Sequence, residues 1–99
     1  MTDTKLLASR IRGLIAAENE AWDRATEQRA EAEYALELFE ENEERQSLSK
    51  DEAEERCEQL RAIVREAREA EQAAERTWHE ARERAEAKIK EEEAEAKRR

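Results

Sequence analysis

The chain has 99 residues, 37% hydrophobic and 47% charged, with no proline, one glycine and a formal net charge of −9. Seventy residues are Ala, Glu, Lys, Leu or Arg, a composition that belongs to coiled coils and long helices and supplies a narrow apolar seam instead of a globular core. A single glycine excludes a Gly-rich phosphate loop, and a single cysteine, Cys57, excludes an internal disulfide framework.

Low hydrophobicity with high net charge is also the signature of disordered chains. Here the apolar residues are periodic, which favours helix. The pattern predicts an all-α fold in one domain, residues 1–99: a helix over about 3–46, a turn at 47–49 and a helix over about 50–97 with a frayed, charged end.

In the first helix a 3-4 heptad spacing runs through Ala8, Ile11, Ile15, Glu18, Trp22, Ala25, Arg29, Ala32, Leu36 and Phe39. With Ile15, Trp22, Arg29 and Leu36 at position a, Leu7, Leu14, Ala21, Gln28 and Ala35 form a flanking g column. Gly13 lies off the seam, where it costs about 1 kcal/mol relative to alanine. The basic amphipathic segment 5–17 has the form of a membrane-surface helix, but the seam needs the same leucines and isoleucines. Arginines interrupt this segment, so it does not read as a signal peptide, and no run of 18 apolar residues exists. A cytoplasmic protein is expected.

The turn is marked by Ser49 and Glu52, three residues apart, which form a capping box that starts a helix at Lys50. Leu48 and Ala53 occupy the hydrophobic-staple positions. Such a short connection suits antiparallel neighbours.

The second helix repeats the grid as Ala53, Cys57, Leu60, Val64, Ala67, Glu71, Ala74, Trp78, Ala81 and Ala85, after which the seam thins to Ile89. Its g column is Ile63, Ala70 and Thr77. Folding at 47–49 brings Phe39 near Cys57, Leu36 near Leu60 and Trp22 near Ala74, and sets Arg29 beside Glu71 and Trp22 beside Trp78 in neighbouring layers. The polar e positions, including Glu33, Glu40, Arg61 and Arg68, can pair across the helices.

Residues 31–58 hold twelve acids and three bases, so the entire −9 lies at the turn end. Glu37, Glu40, Glu41, Glu43 and Glu44 crowd the close of the first helix, where the macrodipole disfavours them. With Asp51, Glu52, Glu54 and Glu55 they form a candidate acidic surface for a basic partner, and such a surface can mimic nucleic acid. Direct nucleic-acid binding is not expected, because no basic cluster is interleaved with aromatics.

Catalytic signatures do not assemble. His79 begins an HExxH-like stretch that lacks its second histidine, and Arg76 stands where a di-iron Glu-x-x-His motif needs glutamate. No enzyme activity, metal or cofactor is expected, and Cys57 on the seam reads as a small buried hydrophobe. Length and hairpin shape resemble the small secreted proteins of the WXG type, but their Trp-x-Gly turn is absent around Leu48, so that family is set aside. Fourteen arginines against five lysines suggest a GC-rich bacterial or phage genome.

The sequence therefore predicts an antiparallel coiled-coil hairpin whose g face (Leu7, Leu14, Ala21, Ala35, Ile63, Ala70, Thr77) is buried by self-association into a four-helix bundle or by another protein. A structural or adaptor coiled coil is the first expectation. An acidic nucleic-acid mimic acting on a basic partner is the second, and an amphipathic membrane-associated module the third.

Overall fold

A computed structural model describes residues 2–42 and 47–98, with side-chain surroundings from Leu6 onward. The fold is all-α: α1 spans Thr2–Leu14, α2 Ala16–Glu41 and α3 Lys50–Arg98. The long helices pack as an antiparallel hairpin.

The expected first helix is divided at Ile15 and ends at Glu41, while residues 43–46 of the expected span lie outside the described residues. The interruption is local. The Ile15 N–H still donates to the Ile11 carbonyl at 3.1 Å, and the Asn19 N–H donates to Ile15 at 2.9 Å. Its cause is a weak helix former, Gly13, two residues before a side chain drawn into the core, since Ile15 is only 4% exposed. At Glu41 the cause is electrostatic: the last turn of α2 carries glutamates and no base, which opposes the negative end of the helix dipole.

The start of α3 follows its sequence signal. The Glu52 N–H donates to Ser49 Oγ at 3.2 Å, and the Ala53 N–H donates to the Ser49 carbonyl at 2.9 Å. These bonds satisfy donors that a helix N-terminus otherwise leaves open. Asp51 and Glu52 favour the first turn, and Lys97 and Arg98 favour the last.

Packing divides the chain into two compact units. Unit 1 joins the residues up to Trp22 with those from Ala74 onward, and unit 2 is Asp23–Ala73. In unit 1, Ile15 is buried with Ala81 and Ala85, and Ile11 and Trp78 pack against them. The Trp22 and Trp78 rings lie 5.1 Å apart, tilted by 52°, as expected of neighbouring layers of the seam. Ile89 is the largest fully buried side chain among the described residues, at 1% exposure. The seam of α3 thus runs Trp78, Ala81, Ala85, Ile89 in steps of three, four and four. This 11-residue step locally unwinds a heptad coil and carries the seam past the point where a strict heptad falls on Lys88.

In unit 2, Phe39, Cys57 and Leu60 form a buried cluster against which Leu36 and Leu48 pack. Ala25, Ala53 and Val64 are also buried. The two seam charges meet: Arg29 Nε donates to both carboxylate oxygens of Glu71, at 3.1 and 3.2 Å. Arg29 Nη1 also donates to Glu33 at 3.1 Å, and Arg68 Nε donates to the other Glu33 oxygen at 3.0 Å. A four-residue ionic chain, Glu71–Arg29–Glu33–Arg68, thereby crosses between the helices.

Candidate functional site

Two surfaces carry the candidate residues. The acidic one lies in unit 2. Glu37, Glu40 and Glu41 on α2 and Asp51, Glu52, Glu54 and Glu55 on α3 are all exposed, while Glu43 and Glu44 lie outside the described residues. Cap and core packing set their positions, since burying Phe39, Ala53 and Cys57 turns the intervening glutamates outward. Glu52 and Glu55 border an open groove of about 410 Å³ whose wall includes Phe39 and Leu48. Glu40 stands 3.9 Å from Arg61.

Glu33, deeper in the same unit, is held below the ordinary carboxylate range, first by the hydrogen bond from Arg68 and then by Arg29. The same network raises Arg29, chiefly through its hydrogen bond to Glu71. These shifts belong to the seam between the helices.

The apolar candidate surface is present in both units. Unit 1 exposes Leu7, Leu14, Ala21 and Thr77, and unit 2 exposes Ala35, Ile63 and Ala70. Leu14 is 48% and Ile63 49% exposed. The g columns of the two strands of the hairpin do share a side in unit 1, where Ala21 and Thr77 line one groove with Ala17, Glu18 and Ala74. Glu18 Oε2 is buried there without a hydrogen-bond partner among the described residues.

The heptad reading missed several exposed groups. Leu6, Tyr34 and Leu38 are 62%, 61% and 42% exposed. Leu38 lies three residues after Ala35 and widens the same apolar face, a position that the c column would have disclosed. A second groove, of about 400 Å³, lies in unit 1 between Leu7, Ile11 and Ile15 on one side and Trp78 and Arg82 on the other. Arg82 sits 5.6 Å from the Trp78 ring, and His79 packs edge-on to it at 4.9 Å. Trp78 Nε1 is buried without a partner among the described residues. Spacing placed both tryptophans on the seam but carried no sign of this cavity.

Among the described residues no group of three or more His, Cys, Asp or Glu side chains is arranged to hold a metal ion, and no helix is long and apolar enough to cross a membrane. Cys57 is a free, buried thiol. Compared with known protein families, with curated proteins and with solved structures, the chain matches none.

Proposed function

We propose that the protein is a non-enzymatic coiled-coil interaction module that acts by burying its apolar g face against another helical surface. The observation that carries this reading is the exposure of Leu7, Leu14 and Ile63 at 38%, 48% and 49%, while Ile11, Ile15 and Val64 on the neighbouring seam are packed. Apolar area of this kind is worth about 25 cal/mol per Å² when covered, and isolated hairpins leave one face of each helix uncovered. A second copy, giving a four-helix bundle, is the simplest cover.

Sedimentation equilibrium of the purified chain and of Leu14→Glu tests the proposal. A mass above 11.6 kDa that returns to the monomer value in the variant, with helix content retained, is the expected result. Association unchanged by Leu14→Glu would refute the role of this face.

A second reading uses the acidic surface of unit 2 as a dock for a basic protein, with nucleic-acid mimicry as its logic. The exposure of all seven described acids supports it. Binding to such a partner that falls steeply with salt is its expected behaviour.

A further inference from the structure

We propose that the outward side of α2 docks into an apolar groove, rimmed by Lys and Arg, on another protein, with Tyr34 and Leu38 as the side chains that enter it. This rests on the reading of unit 2 as an acidic dock for a basic protein and names the side chains that anchor the contact. All of them belong to unit 2.

Ala25, Leu36 and Phe39 turn one side of α2 into the seam. Ala30, Tyr34 and Leu38 follow one another in steps of four on the opposite side, and all three are exposed. Tyr34 is 61% and Leu38 42% exposed. Side chains spaced by four form a ridge along a helix, and such a ridge is what a helix presents to an apolar groove. Tyrosine suits this place, because its ring brings a large contact area and a polar tip, and tyrosines are enriched among the residues that dominate binding energy.

Charge specifies the rim of the groove. From Ala25 to Glu41 the charged residues are six glutamates and one arginine. The arginine, Arg29, is committed to Glu71 and Glu33. From α3, Arg61 and Arg68 meet Glu40 and Glu33, on the seam flank of α2. Glu27, Glu31, Glu37 and Glu41 remain, each exposed and each three residues from a member of the ridge. An apolar ridge bordered by acids is repelled by a second copy of itself and by an anionic lipid surface, and it is complementary to a groove with a basic rim.

The test uses two synthetic peptides as probes: an amphipathic helix of leucine and lysine, and its counterpart with serine in place of leucine. Isothermal titration calorimetry measures their binding to the full chain at low and high salt. The variants are Tyr34→Ala and Leu38→Ala, with Leu14→Ala in unit 1 as the control. Alanine favours helix, and circular dichroism checks that each variant keeps its helices. The leucine peptide is expected to bind the unaltered chain and to weaken as salt rises. Tyr34→Ala should weaken it about tenfold and Leu38→Ala about threefold, while Leu14→Ala leaves it unchanged. The serine peptide should bind more weakly and respond to none of the three. Equal binding of the leucine peptide to the unaltered chain and both ridge variants overturns the ridge and leaves the acidic dock intact. A response to Leu14→Ala in place of the ridge variants seats the peptide on the g face and likewise overturns it. If neither peptide binds in a salt-sensitive way, the acidic dock itself fails and the ridge with it.

Discussion

Gly13→Ala should raise stability. A methyl group placed at Gly13 meets no atom within 4 Å, and its backbone has no positive φ. Neither a clash nor a conformational strain therefore opposes the substitution, and it acts through helix propensity and the reduced freedom of the unfolded chain. Together these give about 0.5–1 kcal/mol. For a domain near 100 residues, 1 kcal/mol corresponds to roughly 4–8 °C in Tm, so a rise of about 2–8 °C is expected. Thermal melting followed by circular dichroism measures it, at one fixed protein concentration so that any dimerisation contributes equally. The gain should concentrate in α1, seen as slower amide exchange around Leu14–Ala16. A lowered Tm would refute the reasoning and would mean that Gly13 is needed for the irregularity at Ile15 or for the close approach of a partner.

Phe39→Ala should cost about 3–5 kcal/mol, because the ring is 6% exposed in the cluster with Cys57 and Leu60; urea unfolding measures this, and a loss below about 1 kcal/mol would contradict the packing. Arg29→Met alone should destabilise more than Arg29→Met combined with Glu71→Leu, since the single change strands a half-buried carboxylate and the double change removes both charges. Additive losses in the same urea assay would show that the pair is uncoupled. Glu33 titrates below its ordinary 4.5 in the folded state, chiefly through Arg68. Its contribution is therefore complete above the unfolded value and is lost as pH falls through the lower folded one. Glu33→Gln should flatten the acid limb of the stability–pH curve, and an unaltered limb would remove Glu33 from acid unfolding.

Much of this structure is legible in the residues because a hairpin of long helices obeys one repeat. The 3-4 spacing from Ile11 to Phe39 and from Ala53 to Ala85 identified the buried positions, and Ser49 with Glu52 identified where α3 begins within a residue. The Arg29–Glu71 pair and the Glu33–Arg68 and Glu40–Arg61 bridges follow from the same grid. What escaped it involves departures from the repeat. The division at Ile15 depends on how far a weak glycine lets the backbone yield to packing. Ile89 was read as the end of the seam and is buried there, but the one-residue shift that carries the seam to it lies outside a fixed heptad. The Trp78–Arg82 groove and the exposed Tyr34 depend on side-chain positions that periodicity leaves open. The candidate surfaces were legible only as far as chemistry is local: their apolar and acidic residues could be named, but helical periodicity does not say what covers them.

The lone thiol at Cys57 supplies a built-in clock. It is 5% exposed in the cluster with Phe39 and Leu60, so an alkylating reagent reaches it only when that part of unit 2 opens. When closing is fast relative to alkylation, the observed rate divided by that of an unstructured cysteine peptide is the equilibrium constant for opening. Repeated over a range of protein concentrations, the same measurement reports how strongly association holds unit 2 shut, without any substitution in the sequence.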